Sequence, residues 1–325
     1  MMELLDSLEI NSLVDSYRID ALVVRSGMAS IYRATDLRDK LVVALKIPHS
    51  DLEADPVFAD HFQRETGICE KLNHPKVMHV FGGERLARNY MVMEWCEGRP
   101  LRKILDEGRI PHDRAIRITI DVLDALEYIH ANGVVHHDLK PENIMVDAED
   151  NIKLIDFGLA SDSAARRRTQ ASFTTILGTP NYVSPEQVNG KRGDERSDIY
   201  STGIVLYEML AGQLPFSGPT LLDAMNERLL NQPVPPRMID PSISPQLQEV
   251  ILRALEKDPR KRYPTTRDFA WDLEHLNQVG VEERTELRRW QAHESRLSRN
   301  ILYYSALALF PAVMLLLVIL ASRLR

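Results

Sequence analysis

Apolar and polar residues alternate with a period of two along the amino-terminal part of the chain, the pattern of half-buried strands. The apolar runs are rich in β-branched and aromatic residues and are separated by turn residues. A helix is predicted from Pro56 to Leu72, because proline suits its first turn and Asn73-His74-Pro75 follows its end. We predict one compact antiparallel sheet of five strands, at 17–24, 29–35, 41–47, 77–81 and 90–94.

Beyond Gly98 the period changes to that of amphipathic helices. Ile116 and Ile120 share one face of a helix predicted at 112–131, and Asn132-Gly133 suits its end. Short strands are predicted at 144–146 and 152–155, and further helices at 195–211, 220–229, 245–257 and 266–276.

These patterns predict a small β-rich lobe at 17–97 and a larger helical lobe at 98–276, after a short lead at 1–16. A long loop runs from Asp156 to about Ser184. A loop of that length inside a compact domain is usually functional.

Residues 301–322 carry no charged side chain and are long enough to cross the hydrocarbon core of a membrane as one helix. Tyr303 and Tyr304 fit the interface, and a membrane helix tolerates Pro311 better than a soluble one does. A buried core helix is the weaker interpretation, because no domain follows that would bury it.

Arginines are concentrated in a charged linker at 277–300, whereas only Arg323 and Arg325 lie in the tail at 323–325. The positive-inside tendency therefore places the two lobes in the cytoplasm. We expect a single-pass protein of the inner or cell membrane.

Composition excludes several other classes of protein. The net charge of −7 argues against the broad basic face that nucleic acid requires. The chain has 325 residues and two cysteines, Cys69 and Cys96, which form no CxxC pair and no histidine–cysteine cluster. We expect no disulfide framework, no zinc site and no nucleic-acid partner.

Two short motifs carry the candidate chemistry. Residues 136–143 read His-His-Asp-Leu-Lys-Pro-Glu-Asn, and residues 156–158 read Asp-Phe-Gly. Together they supply a base, a cation and oxygen ligands for a hard metal ion. Phosphoryl transfer needs such groups because it depends mainly on positioning and on neutralisation of charge.

These motifs, with Val-Ala-Leu-Lys at 43–46 and Ser-Pro-Glu at 184–186, resemble those of the eukaryotic-like (Hanks-type) Ser/Thr protein kinases of the membrane-tethered bacterial kind. The resemblance covers about residues 17–276. It implies an α+β, two-lobed protein-kinase-like fold, to which a C-terminal transmembrane helix is added.

The resemblance assigns the catalytic roles. In the family a strand lysine holds the ATP phosphates and pairs with a helix glutamate, and Lys46 and Glu65 match these positions. Asp138 matches the base that orients the substrate hydroxyl, and Lys140 matches the cation that offsets the γ-phosphate. Taken alone, Lys46 and Glu65 would be read as a surface lysine and a solvated glutamate.

The resemblance also implies ATP and Mg²⁺. Asn143 and Asp156 match the metal ligands, and their oxygen atoms suit a hard cation.

The nucleotide-binding loop departs from the family pattern GxGxxGxV. The aligned stretch is 24–31, in which Val24, Ser26 and Ala29 stand at the three glycine positions and Gly27 remains. Glycine lets backbone N–H groups approach phosphate closely, so we expect weaker ATP binding or a slower enzyme. The other positions that match the nucleotide pocket, as apolar walls, gatekeeper or hinge, are Val23, Ile31, Ala44, Met93, Glu94, Cys96 and Met145.

His137 stands where most relatives have an arginine that receives the phosphate of the activation loop. A neutral histidine cannot do so, which leaves a kinase that is active without this phosphate or one that is regulated elsewhere. His136 matches a structural residue that packs against Phe157, in a hydrophobic spine with Cys69 and Val80.

The segment that follows Asp156 contains Thr175, placed as the primary phosphorylation sites of the family are. The resemblance further implies that Glu186 pairs with Arg262. It also implies that Asp198 anchors the backbone of the catalytic loop, residues 136–143, with a helix N-cap as the alternative.

We therefore expect transfer of the γ-phosphate of ATP to serine or threonine of protein substrates, including the chain itself, with a homodimer as a further partner. The eroded loop and His137 favour a second interpretation, a nucleotide-binding pseudokinase that acts as a membrane-tethered signalling scaffold. A small-molecule kinase of similar fold is the third, and the peptide-docking segment Gly-Thr-Pro…Ser-Pro-Glu argues against it.

Overall fold

The structure, a computed structural model, describes residues 8–53, 56–81, 89–156, 161–162, 180–216, 218, 220–282 and 284. The chain divides into two compact units, Met1–Gly280 and Val281–Arg325. All elements described below belong to the first unit. The predicted membrane segment, 301–322, lies outside the described residues, and no helix among the described residues has the length and apolar character to span a bilayer.

The amino-terminal lobe is built on one antiparallel sheet. Its strands are β1 (Leu13–Val14), β2 (Tyr17–Arg25), β3 (Ala29–Asp36), β4 (Val42–Pro48), β5 (Val80–Phe81) and β6 (Met91–Glu94). They follow the order β1-β2-β3-β4-β6-β5. The predicted count of five strands is wrong, because Leu13 and Val14, in the predicted lead, pair with Arg18 and Tyr17 and add an edge strand.

The alternation of side chains along β4 explains why this lobe has a core on each face of the sheet. Val43, Leu45 and Ile47 are buried in a cluster on one face. Ala44 lies on the opposite face, in the cluster that also contains Met93. The second cluster continues into the other lobe and therefore holds the two lobes together.

The predicted strand at 77–81 is confirmed only in part. Val80–Phe81 forms β5, but the preceding residues leave the sheet. Leu154 N donates to Lys76 O, and Met78 N donates to Leu154 O, each at 2.9 Å. Because Leu154 belongs to the carboxy-terminal lobe, this run connects the lobes through backbone hydrogen bonds.

Two helices accompany the sheet, α1 (Ser50–Glu53) and α2 (Pro56–Cys69). The single helix predicted at 56–72 is therefore preceded by a short one and ends earlier than predicted. The chain tightens into turns at that end, where Leu72 N donates to Cys69 O at 3.0 Å.

The carboxy-terminal lobe is mostly helical. Its helices are α3 (Leu101–Leu105), α4 (His112–Ala131), α5 (Pro185–Val188), α6 (Glu195–Ala211), α7 (Leu221–Leu230), α8 (Pro236–Ile239), α9 (Pro245–Ala254) and α10 (Thr266–Glu274). Short strands complete it, β7 (Arg99–Pro100), β8 (Val134–Val135), β9 (Ile144–Val146), β10 (Ile152–Leu154) and β11 (Ser161–Asp162).

Helices α4 and α6 confirm the predicted bounds residue for residue. Helix α6 ends at Gly212, whose φ of 70° is the left-handed conformation that glycine adopts without strain. This helix is buried continuously from Ser197 to Ala211, so it forms the centre of the lobe. The two-lobed α+β fold is therefore confirmed.

Candidate active site

Helix α2 brings Glu65 to Lys46. Phe62, Thr66 and Cys69 are buried along one side of the helix and hold it against the core. Lys46 Nζ then lies 2.7 Å from Glu65 Oε1, so the predicted pair is confirmed.

Lys46 also contacts the other lobe. Its Nζ lies 3.0 Å from Asp156 Oδ1, across 110 residues of sequence. Asp156 follows β10 with a φ of 60°, in the left-handed region that aspartate tolerates better than most residues. Two distant stretches of chain thus meet at one ammonium group.

The electrostatics of this contact keep Lys46 charged. Desolvation alone would lower its pKa, but the carboxylates of Asp156 and Glu65 outweigh that effect and raise the pKa above its ordinary value. Desolvation would likewise raise the pKa of Asp156, but Lys46 holds it below its ordinary value. At neutral pH the pair is therefore an ammonium beside a carboxylate, a suitable arrangement for a polyphosphate and its metal ion.

The catalytic loop fixes Asp138 from two sides. Lys140 Nζ lies 2.7 Å from Asp138 Oδ2. Asn143 Nδ2, in the short 3₁₀ helix Pro141–Asn143, donates to Asp138 O at 2.9 Å and to Asp138 Oδ2 at 3.3 Å. The predicted base, the predicted cation and one predicted metal ligand therefore form one cluster.

A backbone hydrogen bond places the two predicted metal ligands side by side. Ile155 N donates to Asn143 O at 2.9 Å, one residue before Asp156. Because the amide nitrogen of Asn143 is engaged by Asp138, its oxygen remains as the ligand atom, and Asp156 offers a carboxylate. Hard oxygen donors of this kind fit Mg²⁺, which takes its remaining ligands from phosphate and water. The described residues contain no group of three or more His, Cys, Asp or Glu that could hold a metal ion.

Asp198 anchors the catalytic loop, as predicted. Its carboxylate is fully buried and accepts hydrogen bonds from His136 N at 2.9 Å, His137 N at 2.8 Å and His130 Nε2 at 2.8 Å. Burial would raise the pKa of Asp198, but the hydrogen bond and charge of His130 hold it at about 2. The alternative role, a helix N-cap, is wrong, because Asp194 caps α6.

The backbone of His137 is held from both sides. Its N–H donates to Asp198, and its carbonyl accepts from Gln187 Nε2 at 3.1 Å. Its φ of 64° is left-handed, and its side chain is buried. The neighbouring His136 is also buried, and its Nδ1 accepts from Asp138 N at 3.3 Å, which fits a structural role.

The other members of the predicted spine, Cys69 and Val80, are buried in the main core. Phe157 and the predicted phosphorylation site Thr175 lie outside the described residues.

The predicted pair of Glu186 and Arg262 is confirmed. Two parallel contacts of 2.8 and 2.7 Å join the guanidinium to the carboxylate, and Ser197 Oγ donates to Glu186 at 2.7 Å. The pKa of Glu186 is lowered, because these hydrogen bonds outweigh desolvation. This pair fixes Glu186, the last residue of the predicted peptide-docking segment at 178–186, to the helical lobe.

Most of the predicted nucleotide residues lie in or beside the sheet that carries Lys46, whereas Met145 lies in a strand of the other lobe. Ala44 pairs with Met93 across β4 and β6, and Ile31 pairs with Lys46 across β3 and β4. Ala44 and Met93 are buried, Ile31 and Cys96 are half-buried against the same core, and Met145 lies in β9. The half-exposed residues Val23 and Val24 belong to β2, and Ser26, Gly27 and Ala29 form the turn that follows it. Glu94 ends β6, and its carboxylate accepts a hydrogen bond of 2.7 Å from Lys153 Nζ.

Several residues of the site were not predicted from the sequence. Gln187 could have been found, because Ser184-Pro185-Glu186-Gln187 has the spacing of a capping box, and Ser184 N does donate to Gln187 Oε1 at 3.1 Å. His130 gave no local signal, since its partner Asp198 is distant in sequence.

Arg102 and its partners form a further group that was not predicted from the sequence. Its guanidinium contacts Glu142 Oε1 at 3.0 Å and Glu208 Oε1 at 2.9 Å, and it donates to the hydroxyl of Tyr182. This cluster joins the catalytic loop, α6 and the peptide-docking segment through a single side chain of α3.

Comparison with known proteins identifies the family. A model of the protein kinase domain matches residues 20–270. The probable serine/threonine-protein kinase SCO3848 of Streptomyces coelicolor is 38% identical over 264 residues, which are 79% of this chain and 39% of that protein. Serine/threonine-protein kinase PknB of Mycobacterium tuberculosis is 38% identical over 267 residues, 80% of this chain and 43% of that protein. The chain belongs to the protein kinase family, as its motifs predicted, and it spans about two fifths of the length of these curated relatives.

Proposed function

We propose that this chain transfers the γ-phosphate of ATP to serine or threonine side chains of proteins, including its own. The observation that carries the proposal is the 3.0 Å contact between Lys46 Nζ and Asp156 Oδ1, because it assembles both halves of a phosphoryl-transfer site. The names of both relatives, as serine/threonine kinases, support the class of substrate.

Each charged group has a role in this proposal. Lys46 binds the α- and β-phosphates, and Glu65 fixes its direction. Asp138 orients the substrate hydroxyl and accepts its proton, while Lys140, 2.7 Å from Asp138, offsets charge on the transferred phosphoryl group. Asn143 and Asp156 would hold Mg²⁺, which would supply positive charge to neutralise the phosphates.

The test is phosphorylation in vitro with radiolabelled ATP and mapping of the modified sites by mass spectrometry. We expect Asp138→Asn and Lys46→Met each to lower the rate by at least about 100-fold, since each removes a group that acts on the reacting atoms. Asp124→Asn is the matched control, because Asp124 is an exposed partner of Lys76. Phosphorylation that persists in Asp138→Asn would contradict the proposal.

A pseudokinase scaffold is the second candidate, and the loss of all three loop glycines favours it. Binding of ATP and Mg²⁺, seen as a rise in melting temperature without any phosphate transfer, would support this candidate. The intact Lys46, Asp138, Asn143 and Asp156 favour the active enzyme.

We also propose that residues 301–322 anchor the chain in a membrane with the kinase domain in the cytoplasm. The uncharged segment and the arginines of the linker before it support this proposal. The double substitution Val313→Arg and Leu316→Arg should release the protein into the soluble fraction, because each arginine at mid-membrane costs about 3 kcal/mol. The control is Val313→Leu with Leu316→Val, and protein that stays in carbonate-washed membranes despite both arginines would contradict the anchor.

A further inference from the structure

The turn between β2 and β3 is closed by its own side chain. Ser26 N donates to Ala29 O at 2.9 Å, which makes a tight turn across Gly27 and Met28. Ser26 Oγ donates to Ala29 O at 2.9 Å and accepts from Ala29 N at 3.1 Å and from Met28 N at 3.3 Å. A hydroxyl has one donor and two acceptor lone pairs, so this hydroxyl is fully used within the turn.

The same turn is tied to the end of β4. His49 N donates to Met28 O at 3.0 Å, and His49 Nε2 lies 3.2 Å from Ser30 Oγ. His49 therefore holds both the turn, through Met28, and the following strand β3, through Ser30. The loop is ordered by contacts of the chain itself, before any ligand is considered.

The backbone N–H groups of Met28 and Ala29 are donors of the kind that the phosphates of a nucleotide need. The row Val24–Ile31–Lys46 runs across three strands, so the turn lies beside the lysine that we assign to the phosphates. Loops of this kind bind phosphate through backbone N–H groups that point into a concave turn. Here two such N–H groups already have an acceptor in Ser26 Oγ.

We propose that the Ser26 hydroxyl competes with the phosphates of ATP for the N–H groups of Met28 and Ala29, and thereby lowers the affinity of this kinase for ATP. The inference rests on the proposed function, because it concerns the same nucleotide site. Phosphate, which is charged, is the stronger acceptor, so the hydroxyl weakens binding without preventing it.

The competition concerns phosphate groups and leaves the base and ribose unaffected. The decisive quantity is therefore the ratio of two dissociation constants, that of adenosine divided by that of the non-hydrolysable ATP analogue AMP-PNP with Mg²⁺. Any variant that merely disturbs the adenine pocket changes both constants and leaves the ratio unchanged.

The experiment measures both constants by calorimetry on the full chain in detergent. Ser26→Ala removes the hydroxyl, and we expect the ratio to rise about three- to tenfold, the range that corresponds to one net hydrogen bond. Ser26→Thr retains a hydroxyl and should keep the ratio of the wild type. Ser12→Ala is the matched control, because it removes another exposed hydroxyl that donates to a backbone carbonyl, that of Glu9, at 2.6 Å.

Two results would overturn the inference. If Ser26→Ala leaves the ratio unchanged, the hydroxyl does not compete with phosphate. If Ser26→Ala weakens AMP-PNP binding, the hydroxyl supports the nucleotide by ordering the loop. Failure of the wild type to bind either ligand would instead overturn the proposed function, and the inference with it.

Discussion

Asp198 shows how one buried carboxylate can fix a catalytic loop. Two of its three hydrogen bonds hold the backbone just before Asp138, and the third comes from the side chain of His130. The direction of the proposed base therefore depends on a residue that is fully buried away from the cleft side chains. Burial would raise the pKa of Asp198, but the hydrogen bond and charge of His130 hold it at about 2, below the ordinary value of an aspartate. Folding is thus linked to the ionisation of this group.

This linkage predicts a pH dependence of stability. Because the pKa is depressed in the folded state, the stabilisation is complete above about pH 4 and is lost as the pH falls toward 2. The loss amounts to about 2 kcal/mol. The measurement is urea unfolding at pH 5 and pH 3, with Asp198→Asn expected to show a smaller decrease between them than the wild type.

His130→Ala provides a second variant for this prediction, since it removes one hydrogen bond and keeps the carboxylate. It should give an intermediate decrease. Equal decreases in the wild type and both variants would show that Asp198 is not the group responsible.

At the scale of single residues, the sequence predicted which residues belong to the site but not all of the hydrogen bonds that they form. Lys46, Glu65, Asp138 and Asn143 were found because their neighbours in sequence form recognisable motifs. The closed turn at Ser26 could not be predicted, because a serine hydroxyl has several backbone partners within reach and only the folded hairpin selects among them.

At the scale of elements, helix α7 holds the backbone of the predicted peptide-docking segment through one arginine. Arg228 on this helix is buried, and its guanidinium donates to Val183 O and to Asn181 O, each at 2.6 Å. Desolvation lowers the pKa of Arg228. A buried cation on backbone carbonyls therefore sets the path of the chain just before Ser184.

Replacement of this residue should affect the protein substrate more than ATP. We expect Arg228→Met to raise the KM for a peptide substrate about tenfold and to leave the KM for ATP within about twofold, because two charge-assisted hydrogen bonds to the docking segment are lost. Steady-state kinetics with each substrate varied in turn measures both values. Arg253→Met is the control, since Arg253 pairs with Asp272 at the surface. Parallel changes in both KM values would indicate general damage to the fold.

Elements with strong periodicity were predicted well, and elements chosen by their partners were not. Helix α4 has the predicted bounds because its buried residues, such as Ile118, Val122 and Ile129, recur with the helical period and Gly133 follows its end. The run at 77–81 has strand character throughout, but Met78 pairs with Leu154 of the other lobe and Val80 with Met93 of the sheet. The local sequence does not show whether a residue of this run pairs with the sheet or with the other lobe.

At the scale of the whole molecule, the site depends on contacts between lobes. The pair of Lys46 and Asp156 crosses from one lobe to the other, and the backbone bonds at Leu154 lie close to it in sequence. A nucleotide bound at Lys46, with its metal ion on Asp156, would add further contacts to both lobes. Ligand binding should therefore stabilise the folded domain as a unit.

This coupling predicts a thermal shift. At a concentration 100 times its dissociation constant, ATP with Mg²⁺ should add about 2.7 kcal/mol to the free energy of unfolding. For a domain of this size the melting temperature should rise by about 5–10 °C. Asp156→Asn or removal of Mg²⁺ with EDTA should abolish most of the rise, whereas Asp124→Asn should retain it. A full rise in Asp156→Asn would contradict the assignment of Asp156 as metal ligand.

The edge strand β1 has a practical consequence for anyone who shortens or tags this protein. Asp15 accepts a hydrogen bond of 2.6 Å from Tyr90 Oη, and Leu8 N donates to the hydroxyl of Tyr32. A truncated version that starts at Tyr17, the first residue of β2, would break these bonds and uncover the backbone of that strand. Uncovered strand edges recruit other chains, so such a version should aggregate during purification even though every catalytic side chain is present.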